Sequence, residues 1–318
     1  MKKILITGAT GFVGTHLIRH LLDINGNDIT GTFRSESSRE SFEFKDKIKL
    51  LKADLETLGQ VEAVIKSTKP DWIFHLAAQA NVPESIKDPI STFHSNIDSQ
   101  LNLFNALIKL GLTQTKTLLV SSAEVYGYVN PDDLPVDEDT PYRPANPYAV
   151  SKIAQDYLGF QYNLSYKLPV VRVRPFNHIG PGQQPGFVSS DFAKLIAEIE
   201  KGITKPVMKV GNLLAKRDFT DVRDMVKLYP LLLEKGVLGE VYNAGSGKSV
   251  QIKEILDLLL SFSKVKISIE TDPAKMRPSD IPEIVADVTK VNKATGWKPE
   301  IPLEKTLKDI LDYWRARV

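Results

Sequence analysis

Three glycines near the start of the chain constrain its fold more than any other feature. Gly8, Gly11 and Gly14 follow an apolar run at 3–7 and precede a segment in which apolar residues recur every three or four positions. In a strand–turn–helix unit, the first glycine allows a tight turn, the second lets the backbone approach a pyrophosphate, and the third allows close helix–strand packing. The helix N-terminus then offers free N–H groups to phosphates. The start of the chain therefore predicts a dinucleotide-binding βαβ unit.

The pattern that follows this unit predicts the fold class. Short apolar runs alternate with helical periodicity through the first half, which is typical of βαβ units whose parallel sheet is covered on both faces. The predicted strands lie at 3–7, 28–34, 48–52, 72–76, 116–121 and 170–174, and the later helices at 58–67, 89–110 and 148–164. We therefore expect an α/β fold with a doubly wound parallel (Rossmann) sheet.

The second half of the chain has a looser pattern. Proline and glycine cluster in RPFNHIGPGQQPG, and beyond it short strands at 207–210, 240–243 and 266–269 mix with helices at 187–200, 221–233, 252–262 and 303–315. This mixture predicts a smaller mixed α/β substrate-binding region at the C-terminus. We expect an NAD(P)-binding Rossmann domain over 1–175 and the substrate-binding region over 176–318, with parts of 219–246 packing back onto the Rossmann domain.

Composition narrows the classes of function. The net charge of +2 gives no general attraction to nucleic acid or anionic membranes, and no stretch approaches the length of an apolar membrane span. Without cysteines, the chain has no disulfides, thiolate metal sites or cysteine nucleophiles. The five histidines show no ligand spacing, so no metal is expected. We expect a cytoplasmic protein with no nucleic-acid or membrane partner.

A tyrosine and a lysine are the leading catalytic candidates. Tyr148 and Lys152 lie four residues apart on a predicted helix, so their side chains share one face. A nearby ammonium favours the phenolate and brings the phenol, whose ordinary pKa is about 10, towards useful acid–base chemistry. Ser121 and Ser122 follow a predicted strand, where a hydroxyl can reach a reacting carbonyl at the carboxyl edge of the sheet. Together with the glycine turn, this pattern predicts nicotinamide-dependent chemistry.

The order of the motifs matches one known family. GATGFVG, Asp54–Leu55, HLAAQA, SSAEVYG, NPYAVSK and RPFNHIGPGQ give the chain a resemblance to the extended short-chain dehydrogenases/reductases over essentially its whole length. The resemblance implies that Ser122, Tyr148 and Lys152 are the catalytic serine, tyrosine and lysine. Beside the three glycines, Tyr148 and Lys152, it implies dinucleotide contacts from Phe12, Val13, Asp54, Leu55, Leu76, Ala77, Ala78, Asn96, Ser121, Pro175 and Phe176.

The end of the second predicted strand bears on the choice of cofactor. It reads Thr32–Phe33–Arg34–Ser35, without the Asp or Glu that would hold the free ribose hydroxyls of NAD. Arg34 could instead hold a 2′-phosphate, so we expect NADP(H) to be preferred, with NAD(H) also possible. The alternative is that Arg34 is a solvated surface charge.

The second half resembles the GDP-mannose branch of the same family. PFNHIGPGQ, GNLLAKRDFTDVRD and KMRPSDIPEIVAD carry this likeness, which implies a GDP-linked 4-keto-6-deoxy sugar as substrate. The planar guanidinium groups of Arg217 and Arg277 suit phosphate oxygens, although either arginine alone could form a surface ion pair. Substrate contacts are expected from Gln79, Ser122, Glu124, Asn177, His178, Lys194, Arg217 and Arg277.

The stretch Ser122–Ala123–Glu124 bears on the reaction. Related dehydratases have a polar residue where this chain has Ala123, whose methyl group cannot transfer a proton. We therefore expect NAD(P)H-dependent reduction of the 4-keto group of GDP-4-dehydro-6-deoxy-D-mannose to GDP-D-rhamnose, with the proton from Tyr148. Glu124, a fourth catalytic candidate, keeps a GDP-mannose 4,6-dehydratase or a nucleotide-sugar epimerase open. A non-catalytic NAD(P)-sensing protein is a further alternative.

The resemblance also implies a homodimer. Members of the family commonly pair through two long helices that flank the active site, here about 96–110 and 148–164. Apolar residues that could form this contact, or could equally belong to the intramolecular core, are Leu101, Phe104, Leu107, Ile108, Ile153, Tyr157 and Phe160.

Overall fold

The computed structural model describes residues 1–24, 26–276 and 281–318. Its strands are β1 (Lys2–Thr7), β2 (Asn27–Phe33), β3 (Lys49–Lys52), β4 (Trp72–His75), β5 (Lys116–Val120), β6 (Val170–Pro175), β7 (Asn177–Ile179), β8 (Val207–Val210), β9 (Lys216–Asp221), β10 (Val241–Ala244), β11 (Ser249–Gln251), β12 (Ser268–Thr271) and β13 (Glu283–Ile284). Its α-helices are α1 (Phe12–Asp23), α2 (Glu36–Glu40), α3 (Leu58–Thr68), α4 (Val82–Lys87), α5 (Pro89–Phe93), α6 (Ser99–Lys109), α7 (Pro147–Tyr166), α8 (Val188–Glu200), α9 (Val222–Lys235), α10 (Ile252–Ser261), α11 (Thr289–Thr295) and α12 (Leu303–Arg315).

A seven-stranded sheet forms the centre of the molecule. Its order is β10–β6–β5–β4–β1–β2–β3, and every neighbouring pair is parallel. The strand order reverses between β1 and β4, and the carboxyl ends of strands on either side of such a reversal line a ligand crevice. All residues of β4 and β6 are buried because helices cover both faces. The predicted doubly wound Rossmann fold is confirmed.

Two apolar layers hold the helices onto this sheet. On one face, Leu17 and Ile18 of α1 share a core with Met225 and Leu228 of α9. On the other face, α3, α6 and α7 form a second core that includes Leu103, Phe104 and Leu107 of α6. The carboxyl edge of the sheet is left between these layers, and the site residues described below are found there.

Part of the C-terminal half belongs to the first sheet. Helix α9 packs against α1, and β10 pairs in parallel with β6, with Val241 opposite Arg172. Helix α11 then packs against α9 and β10. The division into domains at 175/176 stays a prediction, and these contacts mean that 222–244 packs with the N-terminal sheet.

The remaining C-terminal segments form a second, smaller core. Helices α8, α10 and α12 pack together, and their contact surface includes Ile196, Leu256, Leu259, Leu307 and Ile310. Beside them, β9 pairs with β7, β11 and β13, and β8 pairs with β12. This arrangement places β7, which follows β6 directly, next to the crevice of the first sheet.

One predicted long helix is interrupted in the structure. The sequence predicts a single helix over 89–110, and the chain is helical through α5 and α6, but a π-helical turn at His94–Asp98 separates them. Such turns widen the helix locally and frequently occur at functional sites. Among the described helices, none combines the length and the apolar character needed to span a membrane.

Candidate active site

The glycine turn has the shape that a dinucleotide pyrophosphate requires. Gly8 has a φ of +68°, and a Cβ on Gly14 would lie 2.4 Å from the carbonyl oxygen of Gly8. A Cβ on Gly8 would lie 3.0 Å from the backbone of Ala77, so larger residues are sterically excluded at positions 8 and 14. Helix α1 begins at Phe12 without an acidic residue in its first turn, and Gly11 has no side chain to cap it. The N–H groups of this turn therefore suit an anion, and the residues present fit the phosphates of NAD(P).

Thr7 connects this turn to the next strand. Its hydroxyl oxygen accepts hydrogen bonds from the N–H groups of Leu76 and Ala77, each at 3.2 Å, and lies 2.9 Å from Nδ1 of His75. Burial, helped by the charge of Lys152, lowers the pKa of His75 to about 3. Thr7 thus fixes the start of the segment 76–78, which the sequence analysis predicts to line the cofactor.

Tyr148 and Lys152 are presented by the first turns of α7. Asn146 caps this helix by accepting a hydrogen bond from the N–H of Ala149 at 2.8 Å, and Pro147 occupies its first turn. Tyr148 and Lys152 are 8% and 4% exposed, and Nζ of Lys152 lies 5.9 Å from the centroid of the phenol ring. Nζ also donates to the carbonyl oxygen of Val120 at 2.9 Å. The predicted pair therefore lies on one helix face at the carboxyl end of β5.

Ser122 completes a group of three with this pair. Burial raises the pKa of Tyr148, and the interaction of the phenol with the Ser122 side chain opposes this rise. Burial lowers the pKa of Lys152 to about 7, and the carboxylate of Asp156 opposes this shift. The phenol is therefore protonated at neutral pH, while both protonation states of Lys152 are accessible. Ser121 lies beside them, and its hydroxyl contacts the carbonyl oxygen of Lys152 at 3.3 Å.

Glu124 lies next to the same group. Its Oε2 accepts a hydrogen bond from Nδ2 of Asn146 at 3.1 Å, and its charge contributes to the raised pKa of Tyr148. The Ser122 hydroxyl oxygen accepts from the N–H of Glu124 at 3.2 Å, which starts a short 3-10 turn. Between them, the methyl group of Ala123 is buried in an apolar cluster with Phe176. Asn146, which the sequence analysis did not select, thus holds Glu124 and the start of α7 together.

Asn96 links the segment after β4 to α7. This buried residue lies in the π-helical turn, and its Oδ1 accepts from the N–H of Gln79 at 2.7 Å. Its Nδ2 donates to the carbonyl oxygen of Gln79 at 3.1 Å and to the hydroxyl of Ser151 at 2.9 Å. The Gln79 side chain itself turns to the carbonyl oxygen of Asn81 at 3.0 Å and to the hydroxyl of Thr92 at 3.1 Å. Asn96 therefore fixes the backbone around the crevice.

The residues expected near the adenosine end lie at β2 and β3. Arg34 follows β2, with its side chain 73% exposed and 3.6 Å from a carboxylate oxygen of Glu56. Asp54 follows β3 and accepts a hydrogen bond from the N–H of Glu56 at 3.1 Å. The carbonyl oxygen of Leu55 accepts from Asn102 at 2.9 Å. These three predicted residues therefore lie together, and the Arg34 side chain is free to turn towards solvent or a ligand.

The residues after β6 connect the cofactor side to the second region. Phe176 is buried, and its N–H donates to the carbonyl oxygen of Ala244 at 2.7 Å. Asn177 is exposed on β7, next to His178, whose ring stacks on Phe12 at a centroid distance of 6.3 Å. Burial lowers the pKa of His178 to about 4, so its imidazole is neutral. Pro175, at the end of β6, is buried opposite Ala244.

Two of the expected substrate residues lie on the second region and not on the first sheet. Lys194 is on α8, 3.5 Å from Glu198 and over the ring of Trp314 at 5.6 Å. Arg217 is on β9 and donates to the carbonyl oxygen of Ile281 at 2.7 Å. Arg277 lies outside the described residues. Lys194 and Arg217 both remain predictions as substrate ligands.

Two buried acidic residues were not selected from the sequence. Asp156 lies one turn after Lys152 and binds the guanidinium groups of Arg172 and Arg174. Asp218 accepts hydrogen bonds from the N–H groups of Ser246 at 2.7 Å and Gly247 at 2.9 Å, and so holds the turn after β10. The four-residue spacing from Lys152 to Asp156 was a usable signal. The partners of Asp218 are almost 30 residues away in the sequence, so no local pattern pointed to this residue.

Comparison with known proteins agrees with this geometry. A family sequence profile described as GDP-mannose 4,6 dehydratase matches residues 5–310. A GDP-6-deoxy-D-mannose reductase from Pseudomonas aeruginosa is 36% identical over 317 residues, which covers 100% of this chain and 98% of the relative. A solved structure of RMD from Pseudomonas aeruginosa complexed with NADPH superposes with a TM-score of 0.87 at 34% identity, covering 100% of both chains. A UDP-glucose 4-epimerase from Thermus thermophilus in complex with NAD gives 0.86 at 27% identity, covering 99% of both.

Proposed function

The chain belongs to the GDP-mannose 4,6 dehydratase family of extended short-chain dehydrogenases/reductases, and from this premise we propose that it is a nucleotide-sugar 4-ketoreductase. Its reaction is the reduction of GDP-4-dehydro-6-deoxy-D-mannose to GDP-D-rhamnose at the expense of NAD(P)H. One observation carries the proposal: next to Ser122, whose side chain interacts with the Tyr148 phenol, the buried methyl group of Ala123 takes the place of an acid or hydroxyl. The site can protonate a carbonyl oxygen without a second proton-transfer group at that position.

The proposed roles follow from protonation and burial. Bound NAD(P)H supplies the hydride that reduces the sugar carbonyl. The phenol of Tyr148 has a raised pKa, so it enters the reaction protonated and gives its proton to the nascent alkoxide. Ser122 orients the carbonyl oxygen by a hydrogen bond, and the ammonium of Lys152 stabilises the phenolate left behind.

The proposed cofactor preference is NADP(H), with NAD(H) also accepted. A solved relative with NADPH and another with NAD support both parts of this proposal. Gly8, Gly11, Phe12, Val13 and Gly14 would hold the pyrophosphate. The guanidinium of Arg34 would leave Glu56 and bind the 2′-phosphate, a charge-assisted contact that NADH cannot make.

Substitution of Arg34 tests this preference. Arg34→Asp should lower the ratio of kcat/KM for NADPH to that for NADH by at least about tenfold, because the contact removed is made only with the phosphate. The exposed Lys45→Asp variant carries the same change of charge and should leave the ratio near that of the wild type. An unchanged ratio in Arg34→Asp would refute the assignment.

The proposed substrate is a GDP-linked 4-keto-6-deoxy sugar. The family and the name of the Pseudomonas relative support this class. Gln79, Asn177, His178, Lys194 and Arg217 are its proposed ligands, together with Arg277. Ser122 and Glu124 would face the reacting end of the sugar. Of these, His178 contacts the start of α1 through its stacking on Phe12.

A GDP-mannose 4,6-dehydratase is the second candidate. Glu124 favours it, because a carboxylate beside the phenol of Tyr148 could remove a proton next to a transient ketone. A dehydratase also returns its nicotinamide to the starting state after each turnover. The two candidates therefore differ in whether reduced cofactor is consumed.

Cofactor stoichiometry distinguishes these candidates. With GDP-4-dehydro-6-deoxy-D-mannose, the wild type should oxidise about one NADPH per GDP-D-rhamnose formed. With GDP-mannose and no added reductant, it should form no 4-keto sugar. Formation of the 4-keto sugar in that second reaction would overturn the reductase assignment. The corresponding dTDP- and UDP-linked 4-keto sugars test whether the enzyme requires guanine as the nucleotide base.

We also propose that the protein is a cytoplasmic homodimer. The absence of cysteine suits a reducing compartment. The outward face of α7 exposes Val150, Tyr157 and Leu164 at seven-residue spacing, which is a suitable apolar surface for a second copy. Of the residues expected to pair, Phe104 and Leu107 are buried in the intramolecular core.

A further inference from the structure

His16 joins the cofactor helix to the loop that follows β7. Its Nε2 lies 2.8 Å from the carbonyl oxygen of Pro181. A carbonyl oxygen only accepts, so Nε2 carries a proton and donates it. Nδ1 lies 3.4 Å from a guanidinium nitrogen of Arg19, and burial lowers the pKa of His16. The imidazole is therefore neutral, buried and directed at the loop 178–183.

Two further contacts hold this loop against the start of α1. The ring of His178 stacks on Phe12 with an interplanar angle of 10°. A Cβ added to Gly180 would lie 2.5 Å from the side chain of Val222 and 3.6 Å from the ring of Phe12. The loop backbone therefore packs directly on α1 and α9, and His16 contributes the hydrogen bond to this contact.

The other side of the loop is anchored to α8. Gln183 is buried, and its Nε2 donates to the carbonyl oxygen of His178 at 3.2 Å. The hydroxyl of Ser190 donates to the carbonyl oxygen of Gln183 at 2.7 Å. The loop is thus folded on itself and held between α1 and α8, so its position depends on both helices.

We propose that His16 is a positioning residue that sets the substrate loop relative to the cofactor. The inference rests on the proposed function, in which α1 receives the cofactor phosphates and 177–178 contacts the sugar nucleotide. Helix α1 would then position both ligands. Its first residues would contact the cofactor phosphates, and His16, no more than two turns further along, would hold the substrate loop. Loss of the His16–Pro181 hydrogen bond leaves the loop free to shift, and small misplacements of a substrate reduce both binding and turnover.

Two substitutions at His16 separate positioning from general stability. His16→Leu removes the donor, whereas the side-chain amide of His16→Gln can place an N–H near the former Nε2. We expect His16→Leu to raise KM for GDP-4-dehydro-6-deoxy-D-mannose about tenfold, the effect of losing one buried hydrogen bond. The Kd for NADPH should stay within about twofold of the wild type, because the glycine turn is untouched. His16→Gln should recover most of the loss in KM.

Hydrogen exchange provides a readout that does not depend on the substrate. Amides in 178–186 should exchange faster in His16→Leu than in the wild type, and His16→Gln should restore their protection. If His16→Leu is insoluble, His16→Asn, which is too short to reach Pro181, replaces it. The proposal would be overturned if the variant without the donor kept the exchange rates and KM of the wild type. It would also be overturned if all variants showed the same increase in KM together with weaker NADPH binding.

The same experiment separates this inference from the proposed function. If the wild type fails to oxidise NADPH with the 4-keto sugar, the reductase assignment fails. The exchange of 178–186 then still decides whether His16 positions the loop. If the wild type turns over normally, but His16→Leu and His16→Gln have the same KM and the same hydrogen exchange in 178–186, only the positioning role is rejected.

Discussion

Burial sets the protonation of the two proposed catalytic side chains. The pKa of Tyr148 is raised above that of free tyrosine, and the pKa of Lys152 is lowered to about 7. Both shifts arise mainly because burial desolvates the charged form of each group. A reductase uses the phenol as a donor, so a protonated resting state is suitable. The lysine must then become or remain charged when the phenolate forms.

Replacement of Tyr148 tests the proton donor. Tyr148→Phe should lower kcat by about 100-fold or more, since it removes general acid catalysis while keeping the ring. NADPH affinity, measured by fluorescence titration, should change little. Tyr157→Phe, an exposed position on the same helix, is the matched control and should retain wild-type turnover. Turnover by Tyr148→Phe at the wild-type rate would exclude the tyrosine as donor.

The buried Lys152 predicts a particular dependence of stability on pH. Its pKa is about 7 in the folded chain and about 10.5 in the unfolded chain, so between these values the unfolded chain binds more protons and stability rises with pH. Lys152→Met removes the buried charge. Its stability advantage should be on the order of a few kcal/mol at about pH 6 and smaller at about pH 9.

Urea unfolding of both proteins at the two pH values measures this difference. Lys109→Met, which removes an exposed lysine paired with Glu62, controls for loss of a lysine elsewhere. An advantage of Lys152→Met that is equal at both values would show that the lysine is not desolvated in the folded state.

Sequence reasoning found those residues whose partners are close along the chain. Tyr148 and Lys152 are four apart on one helix, and Ser122 follows a strand, so their meeting at the sheet edge was predictable. His16 was not selected, because its partner Pro181 is 165 residues away. Thr7 and Asn146 could have been identified, the first from the glycine unit and the second from the Asn–Pro start of α7.

At the scale of elements, a buried ion cluster fastens α7 to β6. Asp156 of α7 binds Arg172 and Arg174 of β6, and Arg174 donates to the hydroxyl of Tyr126 at 2.9 Å. Arg174 also donates to the carbonyl oxygen of Glu138 at 2.9 Å. The acidic segment 132–139 is therefore tied to the sheet by this cluster.

Removal of the central carboxylate should be costly. Asp156→Asn leaves two buried guanidinium groups without a compensating charge and should lower the free energy of unfolding by about 3–5 kcal/mol. Asp312→Asn removes an exposed partner of Arg315 and should cost less than about 1 kcal/mol. Chemical unfolding measures both. Equal effects would mean that water screens the Asp156 cluster.

Long periodic elements were predicted well, and short ones were not. Helix α12 has the predicted bounds because its apolar spacing is regular over 13 residues. The strands β7, β11 and β13 are two or three residues long, so no alternation can develop within them. β9, with the sequence KRDFTD, is polar at its start and is buried only through its partners. The π-helical turn at His94–Asp98 likewise has no periodic signature.

For the whole molecule, the exposed face of α7 predicts the oligomeric state. Tyr157 and Leu164 are 54% and 53% exposed on this face. If two copies pair there, Leu164→Glu places buried charges in the interface and should give a monomer at micromolar concentration in sedimentation velocity. Ile203→Glu, an equally apolar and exposed position on another surface, should remain dimeric. A monomeric wild type would contradict the proposed dimer.

The position of β10 has a consequence for how the chain is made. Until residue 244 has left the ribosome, β6 is the outermost strand, with hydrogen-bonding groups along one side unpaired. A fragment ending at 175 would keep that open edge permanently, and would also lack α9, which covers α1. Self-association through the edge is then the expected fate of such a fragment. During synthesis, the sheet of the N-terminal half is therefore completed only when β10 has been made and pairs with β6.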